Sequence, residues 1–181
     1  MKKIVLSLAV LVASLLVISC EKEDKNQDDF LKRWADTNCG STISGDYYAF
    51  GSMPCPNGYR VPNQEEFRQL ISYPRRYATN DTPDGLPGIW FGLSTSNVNK
   101  ATAKKTYGCL FFPKSGHKLN EGQVEETNYG FYWSNTATVL NNNAWCLYLN
   151  ESDIVQLKAN LISVDDAVNK CSIRCIKEVK E

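Results

Sequence analysis

Residues 55–74 read Cys55-Pro-Asn-Gly-Tyr-Arg-Val-Pro62-Asn-Gln-Glu-Glu-Phe-Arg-Gln-Leu-Ile-Ser-Tyr-Pro74, and they contain the clearest local signal in the chain. Asn63 is a good helix cap, and Glu66 stands three residues on, where a capping box requires it. Phe67, Leu70 and Ile71 then fall at i, i+3 and i+4, and Pro74 ends the run. The next segment, Arg75 to Gly88, is rich in Asp, Thr, Pro and Gly and reads as a long surface loop. Beyond it come short strand patterns at Ile89–Leu93, Cys109–Phe112, Gly130–Ser134, Ala144–Leu149 and Ser172–Lys177. In one of these, Trp145, Leu147 and Leu149 take one face and Cys146 and Tyr148 the other. One helix and a set of strands predict an α+β domain with a small antiparallel sheet. No internal repeat is visible.

Working outward to the start of the chain, Lys2 and Lys3 precede an apolar run from Ile4 to Val17 interrupted only by Ser7 and Ser14. A cationic start and a short apolar core describe a secretory signal. The run is shorter than the roughly 20 residues of a membrane-spanning helix. It closes on Val17-Ile-Ser-Cys20, which resembles the lipobox of bacterial lipoproteins. That resemblance implies a signal peptide over 1–19 and lipidation of Cys20. Each buried methylene contributes about 0.8 kcal/mol, so one acyl chain binds marginally and two or more hold stably. Glu21 to Asp29 contains no apolar residue and reads, with Cys20, as a flexible acidic tether over 20–29. The tether resembles the surface-export segments of Bacteroidetes lipoproteins, which implies an outer-membrane protein facing the cell exterior. Residues 30–181 are left as the domain, about 150 residues and one domain's worth.

Charge argues against nucleic acid as a partner. Of 20 basic and 20 acidic residues, Lys2 and Lys3 belong to the signal, so 18 basic residues face 20 acidic ones in the remainder. Nucleic-acid binding needs clustered Lys and Arg on a basic domain. Hydrophobic residues make up 43% of the chain, ample for one core.

Setting Cys20 aside, Cys39, Cys55, Cys109, Cys146, Cys171 and Cys175 remain. An even number in an exported chain favours disulfides, with fifteen possible pairings. None of them shows C-x-x-C spacing and His117 is the sole histidine, so a zinc site is not expected. Cys171 and Cys175 lie in a strand-like pattern that would hold them on one face roughly 13 Å apart. A disulfide needs Cα atoms within about 7 Å, so each of the two must find a distant partner.

Several blocks together resemble the Fibrobacter succinogenes major paralogous domain. They are Trp34-Ala-Asp-Thr-Asn38, Gly45-Asp-Tyr-Tyr-Ala-Phe-Gly51, Cys55-Pro-Asn-Gly-Tyr-Arg-Val-Pro62 with Glu65-Glu66-Phe67, Leu110-Phe-Phe-Pro113 with Gly116, Gly130-Phe-Tyr-Trp-Ser134, and Ser172-Ile-Arg-Cys175. The blocks span nearly all of residues 31–179. The family is similar to C-type lectin-like folds, and Ile89-Trp-Phe-Gly-Leu93 resembles a core strand of those domains. The resemblance implies a bridge from Cys55 to Cys175. It also suggests Cys109 with Cys146 across the sheet, leaving Cys39 for Cys171.

Functional readings divide into three classes. The first is a non-catalytic recognition module for a glycan or a surface protein, acting in adhesion, because aromatic rings stack on sugars and dominate binding hot spots. Trp90, Trp133 and Trp145 occupy strand patterns and read as core, so Tyr73, Arg75, Arg76 and Tyr77 form the candidate contact surface. Calcium binding would call for six to eight clustered oxygens. The sugar-binding tripeptides of C-type lectins are absent, and the acidic pairs Asp81/Asp84, Glu125/Glu126 and Asp165/Asp166 read as solvated, so no metal or other cofactor is expected. The second class is a structural component of a surface fibre or outer-membrane complex. The third is an enzyme: Gly58-Tyr-Arg-Val-Pro62 is similar to a segment of formylglycine-generating enzymes, which would make Cys171 and Cys175 the reactive pair. Their spacing is one residue shorter than that family's. His117 alone offers a base for a nucleophile. The sequence is therefore read as a binding protein and not as an enzyme.

Overall fold

A computed structural model of the chain describes residues 29–42, 44–79, 82, 85–92, 108–119, 122–139, 143–150, 152, 154–159 and 169–179. The signal peptide, Cys20, Asp81, Asp84, Asp165, Asp166 and all of the tether but Asp29 lie outside the described residues. Among the described residues the domain is mostly β, with small antiparallel sheets, one principal helix and one disulfide.

The helix α1 spans Gln64–Ser72, and its start follows the sequence signal. The Asn63 side chain accepts from the Glu66 N–H at 2.8 Å, and Glu66 Oε2 accepts from the Asn63 N–H at 2.9 Å, so the capping box is complete. Glu66 also ties α1 to its surroundings. Its carboxylate takes both Arg60 Nη1 (2.8 Å) and Nη2 (2.7 Å), and Arg33 Nη2 at 3.2 Å. Burial alone would raise its pKa. The Arg60 hydrogen bonds, the Asn63 N–H and the charges of Arg60 and Arg33 outweigh that and lower it below the ordinary 4.5. A depressed folded-state pKa contributes stability that is present above the unfolded value and lost as pH falls through the lower folded value. Denaturation midpoints of the wild type are therefore expected to fall below about pH 4.5, and Glu66→Gln is expected to flatten that limb while costing about 1.5–3 kcal/mol at neutral pH. Urea titrations across pH 3–7 check both results.

The strands form four sheets. The strands β1 (Tyr48–Ala49), β11 (Asn169–Cys171), β6 (His117–Leu119) and β7 (Val124–Glu125) form one in that order. A second is β10 (Val155–Lys158), β9 (Ala144–Leu149) and β8 (Gly130–Ala137). A third is β3 (Arg75–Ala78), β4 (Gly88–Phe91) and β5 (Leu110–Pro113), and β12 (Ile176–Lys177) pairs with β2 (Tyr59–Arg60). The loop expected over 75–88 is thus corrected in its first part. Arg75 to Ala78 pair in register with Phe91 to Gly88, because Gly92 N–H bonds Pro74 O at 2.7 Å and folds the chain back. The single strand expected over 172–177 is also corrected: Ser172 makes one bridge to Tyr132, and only Ile176 and Lys177 pair as β12.

The β8–β9–β10 sheet separates two cores, as the alternation in β9 requires. Leu147 and Leu149 join Phe67, Leu70, Phe91, Phe112 and Tyr132 on the α1 side. Cys146 joins Phe131, Trp133, Val61, Ile173 and Cys175 on the other side, with Tyr148 packed at its margin. Trp90 and Trp133 are core, as expected. Trp145 is not: it is half-buried near the start of the central strand β9, with the Arg68 guanidinium 5.8 Å from its ring centre.

Candidate functional site

The contact surface expected from the sequence does not assemble. Tyr73 is 4% exposed and stacks on Phe30 at 5.7 Å inside the first core. Arg75 folds back to donate to Ile71 O at 2.8 Å. Tyr77 shares the inward face of its strand with Arg75, packs on the first core, and carries the buried Lys114 Nζ 3.9 Å over its ring. Arg76 alone is exposed. The physical reason is the β3 pairing: period-two alternation sends Arg75 and Tyr77 inward, so the four residues cannot share a surface.

The cysteines also depart from expectation in part. Cys55–Cys175 is bridged, with Cα atoms 5.8 Å apart. Cys39, Cys109, Cys146 and Cys171 are thiols, so the pairings of Cys109 with Cys146 and of Cys39 with Cys171 are corrected. Cys109 packs with Trp90 and Phe111, a cluster separate from the one that holds Cys146. Cys39 Sγ donates to Pro54 O at 3.0 Å. Cys171 meets Cys146 instead, thiol to thiol. Strand β8 keeps these two unbridged, since it pairs Cys146 through Trp133 on one edge and hydrogen-bonds Ser172 on the other. Two inter-strand steps of about 4.8 Å exceed the roughly 7 Å that a disulfide allows. Burial, and then the Cys146 thiol, push the Cys171 pKa well above its ordinary 9.0, which opposes the thiolate a reactive cysteine needs.

His117 lies in β6, with its ring edge-on to Phe131 at 4.9 Å. It is 8% exposed, and its Nδ1 is buried without a hydrogen-bond partner among the described residues. Tyr47 donates its hydroxyl to Ser115 O, and burial raises its pKa. Burial, then the Cys39 thiol and the charges of Cys39 and Asp46, push Tyr48 up to about 12. Both tyrosines are therefore neutral donors at physiological pH. Among the described residues no three of His, Cys, Asp and Glu come together as metal ligands.

The half-exposed aromatic groups that do come together are on the second-core face of β8–β9–β10. Tyr129 and Tyr148 stack in parallel, 5.6 Å between centres and 16° between planes. Phe131 packs against Tyr148 at 5.4 Å, and Lys158 Nζ stands 4.1 Å over the Tyr148 ring. Gln156, opposite Tyr148 in register, is exposed. Sequence reasoning placed Tyr148 on the Cys146 face of β9 but did not follow that face across to β10. The four-residue β10, Val155-Gln-Leu-Lys158, is too short for its alternation to stand out.

Comparison of the chain with family models, with curated proteins and with solved structures found no match.

Proposed function

We propose that this chain is a lipid-anchored outer-membrane protein, exposed at the cell surface, whose single domain acts by binding and not by catalysis. The observation that carries the binding reading is the half-exposed Tyr129–Tyr148 stack capped by Lys158. Tyrosines held rigidly by their neighbours lose little entropy on contact, which is why they dominate recognition surfaces. The high pKa of Cys171 and the disulfide at Cys175 weigh against a redox pair at those positions. The anchor rests on the cationic start, the apolar run and Cys20.

The fold is read as C-type lectin-like. That reading is supported by the resemblance of the sequence blocks and by the way the chain closes. β2 near the domain start pairs with β12 at its end, and Cys55–Cys175 locks the two together. Long connections between short antiparallel strands accord with it.

Cys20→Ala is expected to move the protein from the membrane fraction to the soluble fraction, and protease applied to intact cells is expected to remove the wild-type domain. Retention of the variant in membranes would refute the anchor. Protection of the wild type in intact cells, with digestion after the outer membrane is opened, would place the domain in the periplasm.

A further inference from the structure

We propose that the Tyr129–Tyr148 face is a carbohydrate site and that its ligand is an oligosaccharide bearing carboxylates, of the uronic- or sialic-acid class. This rests on the reading of the domain as a recognition module and names the site and ligand class for it. Sugar rings present C–H faces that pack on aromatic rings, and tyrosine adds a hydroxyl that donates and accepts. Tyr129, Phe131 and Tyr148 form one aromatic block, with Tyr148 in contact with both of the others. Strand pairing holds it in place, since Phe131 and Tyr148 are cross-strand partners. At one end Lys158 holds an ammonium over Tyr148, and Gln156 beside it supplies an amide for hydroxyl groups. An ammonium at the rim of an aromatic block is placed for a charge-assisted bond to a carboxylate. At the inner end, the His117 ring lies against Phe131 with its buried Nδ1 unpaired among the described residues. Glu125, opposite His117 in register and exposed, sets polarity: the ligand's carboxylate belongs at the Lys158 end.

A protein partner fits this face less well. Stable protein interfaces bury about 800 Å² on each side around an apolar centre. Among the described residues, the exposed large apolar side chains, Met53, Leu119, Val139, Ile154 and Val179, sit on five separate segments, and none lies within β8, β9 or β10. The face offers rings, hydroxyls, an amide and a cation, a set suited to a small polar ligand.

The full chain in detergent micelles should be applied to an array of uronic- and sialic-acid oligosaccharides printed beside their neutral counterparts. Retention of acidic over neutral sugars is expected. Lys158→Gln should weaken acidic binding about tenfold more than neutral binding, whereas Tyr148→Leu should weaken both by about tenfold or more. Lys158 is half-buried and outside both cores, so its variant tests the site even if Tyr148→Leu fails to fold. Acidic binding that survives both substitutions would overturn the site and leave the recognition reading standing. Equal affinity for acidic and neutral sugars would overturn the carboxylate class. No retention of any sugar would overturn the carbohydrate assignment, and capture of a protein from the cell surface by the same full chain would then show that recognition itself survives.

Discussion

Replacing Cys55 and Cys175 together by alanine is expected to lower the melting temperature by roughly 8–20 °C, from a chain-entropy loss of about 4–5 kcal/mol. The bridge joins residues 120 apart in sequence, so the unfolded chain it constrains is most of the domain. The strands it joins are short, β2 and β12 being two residues each, so their ladder alone adds few hydrogen bonds. Around them, Ala35 N–H bonds Cys175 O at 2.8 Å, Lys177 N–H bonds Arg33 O at 2.8 Å, and Glu178 N–H bonds Gly58 O at 3.0 Å. These contacts draw the two ends of the domain together, and the disulfide raises their effective concentration. Calorimetry with and without dithiothreitol separates this bridge from any other. Because Cys39, Cys109, Cys146 and Cys171 are thiols, reductant should bring the wild type down to the double variant and leave the double variant unmoved. A further drop in the double variant would reveal a second bridge.

The elements legible in the sequence were those whose signal is local. The Asn63–Glu66 box announced α1, and the alternation of Trp145 to Leu149 gave β9 with its residues in place. The Cys55–Cys175 bridge came from family resemblance, as spacing alone leaves fifteen pairings open. Of the short strands, β4 and β5 were legible as apolar runs, whereas β1, β2, β3, β6, β7, β10 and β11 were not, because a period of two cannot be established over two to four residues of mixed polarity. β3 illustrates the cost. Arg75-Arg-Tyr-Ala78 looks like loop on composition, and it becomes a strand only because Gly92 returns the chain to Pro74 and brings β4 alongside. With that pairing Tyr77 turned inward, while Tyr73, the residue that closes α1, stacked on Phe30, so the expected contact surface dissolved. Tyr129, Tyr148 and Lys158 lie on separate segments, and their assembly depends on sheet register that no single stretch of sequence encodes. The unbridged cysteines follow the same logic: cysteine parity says nothing of which side of β8 each residue lies on.

Arg174→Ala is expected to cost about 3–5 kcal/mol, a large fraction of the 5–15 kcal/mol that stabilises an ordinary domain. Arg174 is 1% exposed, a long cation enclosed by the fold. Its Nε donates to Asn38 Oδ1 at 2.8 Å, Nη1 to Ala35 O at 3.0 Å, and Nη2 to Phe111 O at 2.8 Å. The guanidinium plane also lies over the Phe112 ring, 4.7 Å from its centre. One side chain thus joins the N-terminal segment, β5 and the closing segment, which meet nowhere in sequence. The network extends further: Asn38 donates to Ser44 O at 2.7 Å and to the Tyr132 hydroxyl at 3.2 Å, and that hydroxyl donates to Pro113 O at 2.5 Å. Truncation leaves buried acceptors without their donors and opens a void between the sheets, and both effects act in the same direction. Lysine should rescue little, because an ammonium cannot reproduce the planar three-donor fork. Asn38→Ala should also destabilise, and the double variant should cost less than the sum of the two, since each single change already breaks their shared bond. Urea midpoints for the four proteins give the coupling directly. Strict additivity would mean that the guanidinium serves Ala35 and Phe111 alone, and a loss under 1 kcal/mol for Arg174→Ala would mean that the enclosed charge is not what joins these segments.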